Sequence, residues 1–437
     1  MQLRNRRKRA RDIGTPLAAA TCALLGQGVP AAVHAQELAP WEIDTSLLIY
    51  SESDGRVRDT SLNARARKEI KEEKFLDLTL AIDSLTGASP SGATPANVVQ
   101  TFTTPSGESE YTVAARAQAL DTSFLDTRTA LSATWTLPVT RLALLSVGAS
   151  MSDEYDYSHT GVNARLARDF NNRNTTLSFG VALANDTIDP VGGSPAPLTP
   201  MLGLAPTSKL GDQSKDVTDW LFGVTQVLNR HTIVQINYSL SQSDGYLTDP
   251  YKILSVVDPV TGNPVAGPLG TGRYRYLYER RPETRDKQSV YALLKHDFGG
   301  DVLETSYRYM TDDWGVDSHT LELRYRWSFA GNRYLQPHVR FYQQTAADFY
   351  RTVLFDGAPL PAFATADHRL GEFDGLTVGL KYGQPTARGG EWSARIEYYT
   401  QSGNASPGSA VGALANLDLY PDLNALIAQF TYKFGRR

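Results

Sequence analysis

Hydrophobic residues along this chain recur at every second position, and helical spacing is nearly absent. Leu321, Leu323, Tyr325, Trp327 and Phe329 alternate with Glu322, Arg324, Arg326 and Ser328. Leu335, Pro337, Val339 and Phe341 alternate with Gln336, His338, Arg340 and Tyr342, and Trp392, Ala394, Ile396 and Tyr398 with Ser393, Arg395, Glu397 and Tyr399. Successive side chains of an extended strand point to opposite faces, so each run carries one apolar and one strongly polar face. Many runs extend to roughly 10–14 residues, beyond the ~5–6 of an ordinary sandwich strand and close to the length that crosses an outer membrane at a tilt.

About 16 such runs are expected, an even number as a closed bacterial barrel requires. They start near Trp41, Arg56, Lys74, Ser123, Leu142, Tyr157, Asn174, Lys215, His231, Lys287, Asp301, Ser318, Arg333, Phe373, Glu391 and Asn424. Connections after even-numbered runs are short, as at Asn171-Asn172-Arg173, Gly299-Gly300 and Gly331-Asn332. Those after the third, seventh, ninth, thirteenth and fifteenth are long: 85–122, 188–214, 244–286, 345–372 and 402–423. Short periplasmic turns and long extracellular loops are the asymmetry of an outer-membrane barrel. Trp41, Trp135, Trp327 and Trp392 fall at the expected periplasmic ends, and Trp220 and Trp314 at or near the outer ends, where indole rings favour the membrane interface. The last run places Leu426, Ala428, Phe430, Tyr432 and Phe434 on one face, an aromatic-ended strand suited to the barrel-insertion machinery, although Gly435-Arg436-Arg437 follow it. The fold class expected is all-β: a closed antiparallel transmembrane barrel occupying 36–437 as one domain.

The amino terminus reads differently. Residues 2–12 (QLRNRRKRARD) are strongly basic, a short small-residue apolar run follows, and Val33-His34-Ala35 precedes Gln36. That is the layout of a bacterial export signal over residues 1–35, cleaved near Ala35. Removing its six basic and one acidic residues leaves 37 basic against 46 acidic, a net of −9. So acidic a chain is unsuited to nucleic acid. The single cysteine lies in the export segment, which excludes a disulfide scaffold or a Cys-rich metal centre. Expected partners are outer-membrane lipid and lipopolysaccharide, the insertion machinery, and a periplasmic protein if the barrel acts as a scaffold.

Several strings in the chain are long and unusual. They include Tyr307-Arg308-Tyr309-Met310-Thr311-Asp312-Asp313-Trp314-Gly315, Leu335-Gln336-Pro337-His338-Val339-Arg340, Ala346-Ala347-Asp348-Phe349-Tyr350, Asp367-His368-Arg369-Leu370-Gly371 and Asp83-Ser84-Leu85-Thr86-Gly87-Ala88. With these strings the chain resembles, over the whole mature length, the bacterial family called domain of unknown function 3570. The resemblance implies an exported protein of outer-membrane type and assigns no activity; the barrel expected from the alternation belongs in the outer membrane of a Gram-negative bacterium.

Candidate chemistry concentrates on the polar faces of the eleventh to thirteenth and fifteenth runs: Glu304, Arg308, Glu322, Arg324, Arg326, His338, Arg340, Arg395 and Glu397. Neighbouring strands bring such side chains to about 5 Å, close enough for charge-assisted pairs. Two readings stay open: a lumen that passes anions along an arginine ladder, or a filled, non-conducting barrel whose charges neutralise one another. A second cluster, Asp312, Asp313, Asp317 and His319 with Asp348, Asp367 and His368, offers oxygens for a hard cation such as calcium, without EF-hand spacing; no other cofactor is expected. A hydrolase would need a serine beside a histidine. Ser318 and His319 are adjacent and point to opposite faces, which leaves Ser306 or Ser328 as the partner for His319. Finally, 251–258 is strand-like inside a long loop, either a lumen constriction or a rim strand.

Overall fold

The computed structural model describes residues 41–104, 109–202, 209–267, 273–404, 408 and 410–435. The export segment expected over residues 1–35 lies outside them. Sixteen strands close into an antiparallel barrel. They are β1 (Glu42–Glu52), β2 (Arg58–Lys71), β3 (Lys74–Pro90), β4 (Leu120–Thr140), β5 (Ala143–Asp153), β6 (Tyr157–Phe170), β7 (Thr175–Ile188) and β8 (Gln213–Asn229), followed by β9 (Thr232–Gly245), β10 (Thr284–Asp297), β11 (Val302–Asp312), β12 (Asp317–Phe329), β13 (Arg333–Gln344), β14 (Phe373–Pro385), β15 (Glu391–Gly403) and β16 (Leu423–Lys433). Every one begins within three residues of its expected start. The ring closes between β1 and β16, from Asp44 opposite Lys433 to Glu52 opposite Ala425.

The alternation sorts the two faces. Leu47, Leu131, Val162, Leu323, Phe341, Ile396 and Phe430 all point outward and stay exposed, forming the band that meets lipid. Their sequence neighbours point inward and most of them are polar. A closed ring leaves no unpaired strand edge, so backbone amides can be satisfied inside hydrocarbon. One interruption falls at Pro337: between Arg324–His338 and Trp327–Leu335 the β12–β13 register skips two pairs, because proline has no N–H to donate.

Turn chemistry explains the tight end. At Asn171, Asn172 and Arg173 the chain runs through three left-handed residues (φ 49°, 53° and 67°), a conformation asparagine tolerates. At Gly299 and Gly300 (φ 87° and 133°) only glycine fits freely, and the Asp297 carboxylate accepts both of their N–H groups at 2.8 Å.

The long loops at the other end fold into a cap with its own core. Residues Ile253–Val257 form a strand buried along its whole length, antiparallel to Tyr276–Tyr278 and parallel to Leu354–Phe355. Around it pack Phe102, Val113 and Tyr276. Leu254, Leu277, Leu354 and Ala366 continue the packing, as do Val257, Val353, Leu414 and Leu419. These residues come from loops rooted at β3–β4, β9–β10, β13–β14 and β15–β16, positions spread around the ring, so the loops meet across the mouth. The 251–258 segment, open between a constriction and a rim strand, supplies Ile253–Val257 as the central strand of this cap, and its Lys252 faces the lumen cavity. Trp314 also departs from expectation. It sits at the outer end but is only 4% exposed, donating through Nε1 to the Thr284 carbonyl and packing edge-on against Phe349, instead of meeting lipid.

Candidate functional site: the charged lumen

On β11–β15 the polar parity delivers every expected lumen residue to the interior. Glu304 and Arg324 are cross-strand neighbours, and Arg324 Nη1 donates to Glu304 Oε1 at 2.9 Å. The other terminal nitrogen of Arg324 contacts Glu322. His338 stands between two carboxylates, with Nε2 2.8 Å from Glu322 and Nδ1 2.8 Å from Glu397. The Nδ1 contact is a well-aligned hydrogen bond; the Nε2 contact is equally short but off the N–H direction. Arg395 reaches Glu397 at 3.4 Å. One continuous chain of charges, Glu304–Arg324–Glu322–His338–Glu397–Arg395, thus runs round this wall.

Three cations stand outside it. Among the described residues, Arg308, Arg326 and Arg340 have no carboxylate within ion-pair distance. Arg308 lies over the Tyr291 ring (5.4 Å) and Arg326 over Tyr334 (3.8 Å), so stacking on π-faces holds them. Arg340 is exposed to a cavity of about 650 Å³. Tyr50 and Arg395 line both this cavity and a larger one of about 960 Å³ on the far side of the lumen.

The opposite wall, β2–β8, carries a second charged set, outside the runs whose polar faces stood out in the sequence. Arg65 is bound to Asp77 (2.5 and 3.0 Å), Arg128 to Asp83 (2.7 Å), and Asp186 to His159 (2.6 Å) and Lys215 (3.4 Å). Its signal was present in the chain: Asp77, Asp83 and Arg65 alternate with lipid-facing Leu62, Leu80 and Ile82. Here Arg65, Arg67, Arg128 and Lys215 each have an aspartate within ion-pair distance and, among the described residues, Arg165 has none, whereas the β11–β13 wall has three unpaired arginines.

The cap forms the ceiling of the larger cavity through Lys252, Asp367, His368 and Arg369. Loops 246–283 and 345–372 therefore do reach the lumen. An ionic cluster, buried except for Arg369 at its exposed edge, ties them: Arg281 contacts Glu279 (2.6 Å) and Asp367 (2.7 Å), while Arg369 contacts Asp249 (2.7 Å) and Asp367 (2.6 Å). Glu279 is fully buried and also accepts from the Asp249 N–H (2.7 Å) and the Thr365 hydroxyl (2.5 Å). Burial alone would raise the Asp367 pKa, but Arg369, Arg281 and Lys252 hold its carboxyl well below the usual range. Burial pushes the His368 imidazole down to about 3, so it stays neutral at any ordinary pH.

The acidic loop residues expected to act together are dispersed by the fold. Asp312 is occupied by Arg285 (2.5 and 2.8 Å) and by the N–H groups of Trp314 and Val316. Asp313 accepts from the Asp286 N–H, and Asp348 packs against Gly315 beside the same turn. Asp317 and His319 lie on the outer face of β12, bonded to the hydroxyls of Tyr309 (3.0 Å) and Tyr307 (2.7 Å). Asp367 and His368 belong to the cap ceiling. Odd positions of β12 point to lipid and even ones to the lumen, so residues two or three apart in sequence part company at the wall. For the same reason His319 is on the opposite face from Ser306 and Ser328, and no serine–histidine pair forms there; the Ser328 hydroxyl is bound to the Gly300 carbonyl.

The carboxylates the fold does gather are Asp126, Glu154 and Asp156, whose oxygens lie within 4.8 Å of one another at the outer end of β4–β6. Burial, reinforced by Asp126, pushes the Glu154 carboxyl up to about 8. At neutral pH Glu154 holds a proton, which relieves the like-charge repulsion of the trio.

A family described as "Protein of unknown function (DUF3570)" matches residues 15–434. No curated protein matches the chain. Among solved structures, the CymD monoaromatic hydrocarbon channel is similar at 11% identity and a TM-score of 0.39, over 92% of this chain and 89% of that one. OccD3 (OpdP) of Pseudomonas aeruginosa is similar at 10% identity and 0.40, over 92% and 93%. The ferric enterobactin receptor PfeA of the same organism, in a mutant form with enterobactin, is similar at 10% identity and 0.42, over 91% and 61%. All three are outer-membrane barrels. With a match that runs from before the first strand to just past the last, the chain belongs to the family of proteins of unknown function described as DUF3570, and is an outer-membrane-type barrel of sixteen strands.

Proposed function

We propose that this protein is an outer-membrane channel for small anionic solutes, closed on the outside by interlocked loops. The carrying observation is the excess of lumen cations on one wall: Arg308, Arg326 and Arg340 remain after Glu304, Glu322 and Glu397 are paired off. They lie on three successive strands at different heights. An anion leaving one thus meets another, and favourable but multi-site binding is what conduction requires. On the opposite wall Arg65, Arg128 and Lys215 are already bound to aspartates, so it offers no comparable row of cations.

Export with cleavage near Ala35, residence among outer-membrane lipid and lipopolysaccharide, and assembly by the barrel-insertion machinery belong to this proposal. The test is a planar-bilayer recording under a potassium chloride gradient. An anion-selective reversal potential is expected, moving toward zero in Arg340→Gln and further in the Arg308→Gln, Arg340→Gln pair. A folded barrel that conducts nothing would overturn the reading. That result would favour a second one, a non-conducting barrel that docks periplasmic or surface proteins, for which the cap core around Ile253–Val257 is the supporting feature.

A further inference from the structure

We propose that the 650 Å³ cavity between β12 and β15 is a binding site for a single-ring aromatic carboxylate; the inference rests on the channel reading only for delivery of the ligand. The cavity has a charged side and an aromatic side. On the charged side Arg340 projects inward. Glu322 is its cross-strand neighbour, yet the Glu322 carboxylate is turned to Arg324 and His338, and Glu397 is held by His338 and Arg395. Among the described residues Arg340 neither pairs with a carboxylate nor stacks on a ring. An accessible guanidinium with its fork unused is a ready partner for a carboxylate, which it can bind through two parallel hydrogen bonds.

The aromatic side is built from Tyr342, Phe373, Tyr399 and Tyr50. Tyr342 lies two residues above Arg340 on the same face of β13, a rise of about 7 Å. Tyr342 and Phe373 pack with centroids 5.4 Å apart and planes inclined by 34°. The three tyrosine hydroxyls are all committed two residues further along their own strands: Tyr342 to Gln344 (2.7 Å), Tyr399 to Gln401 (2.7 Å) and Tyr50 to Glu52 (2.8 Å). Such a bond lays each ring along the wall and leaves its apolar surface, not its hydroxyl, for the cavity. After Phe373 the inward positions of β14 are Gly375, Thr377 and Gly379, so no further large side chain rises from this strand and the Tyr399 ring lies over Gly375. A Cβ at Gly375 would stand 3.3 Å from the Tyr399 ring.

An inorganic anion would use the arginine and ignore the rings; a neutral hydrocarbon would do the reverse. One cavity that offers both, at a size within the ~300–1,000 Å³ usual for small-molecule sites, selects a molecule with both parts. The ring gains offset or edge contacts, and the carboxylate replaces its lost water with the guanidinium fork.

The test is calorimetric titration of the purified full-length barrel in detergent with benzoate, cyclohexanecarboxylate and acetate, with folding of each variant checked by its heat-dependent gel shift. Saturable benzoate binding is expected, with cyclohexanecarboxylate weaker by about tenfold and acetate not saturating. Arg340→Gln should weaken benzoate at least tenfold, Arg340→Lys less, and Gly375→Val should abolish binding in a barrel that still folds. Equal binding of acetate and benzoate, unchanged benzoate binding in Arg340→Gln, or none in the unmodified protein would each overturn the inference. Chloride conductance recorded on the same samples separates the two ideas. Conductance without benzoate binding leaves the channel reading standing and removes this one. Benzoate binding without conductance does the opposite.

Discussion

Glu154 shows how a single side chain can carry a pH dependence. It sits in the turn between β5 and β6, beside Asp126 and Asp156. Burial first, and Asp126 second, raise its pKa from 4.5 to about 8. In the unfolded chain the group ionises near 4.5, while in the fold it keeps its proton until about 8. Between those values the folded state binds the extra proton, so raising the pH costs stability across that window. The contribution is fully present below 4.5 and gone above 8. Glu154→Gln mimics the protonated form. In urea titrations of the folded barrel from pH 5 to 9, the unmodified protein should therefore lose stability relative to Glu154→Gln as the pH rises, with the gap flattening above 8. A gap that does not change with pH would refute the account. At this scale the chain itself told which way Arg324, His338 or Glu397 would point, because parity alone decides that. It could not tell that Asp126, Glu154 and Asp156 would converge. The convergence depends on where β4 and the β5–β6 turn end relative to one another, a matter of strand stagger with no local signal.

The cap is the element that sequence periodicity describes least well. Tyr251 to Asp258 reads as a strand, and Ile253–Val257 is one; its partners, Tyr276–Tyr278 and Leu354–Phe355, are three and two residues long. Runs that short carry no period, and their pairing is fixed by loop-to-loop packing far apart in sequence. The barrel strands, each a long alternating run closed by a short turn on one side, were legible for the opposite reason. What locks the cap is the buried cluster of Glu279, Arg281, Asp367, Arg369 and Asp249. Glu279→Ala would leave Arg281 with one carboxylate in place of two and remove the acceptor of the Asp249 N–H and the Thr365 hydroxyl. Breaking a buried pair from one side costs roughly 3–5 kcal/mol. The loss should stay in the cap, since the barrel's ladder bonds do not pass through it. Hydrogen exchange should accelerate sharply over 246–283 and 345–372 while β9, β10, β13 and β14 keep their protection. Equal deprotection of strands and loops would show that cap and barrel unfold as one unit.

For the whole molecule everything turns on two solvents separated by one wall. The β11–β12 ladder gives a controlled comparison, because a lipid-facing and a lumen-facing position stand close together there. Leu323 points outward and is 45% exposed, near the middle of β12. Ser306 points inward on β11, directly across from Glu322. An arginine at Leu323 would place a charge in hydrocarbon, at about 2–4 kcal/mol near the midplane. An arginine at Ser306 would enter a hydrated interior with a carboxylate opposite, where the pair is worth no more than about 1 kcal/mol in either direction. Urea unfolding from lipid vesicles should therefore show Leu323→Arg strongly destabilised and Ser306→Arg nearly unchanged. In detergent micelles, whose apolar layer is thin and deformable, the gap should narrow. If both substitutions cost the same in vesicles, or if Ser306→Arg costs more, the apolar band would not be facing lipid, and the lumen, its arginines and the cavity beside Arg340 would lose their meaning together.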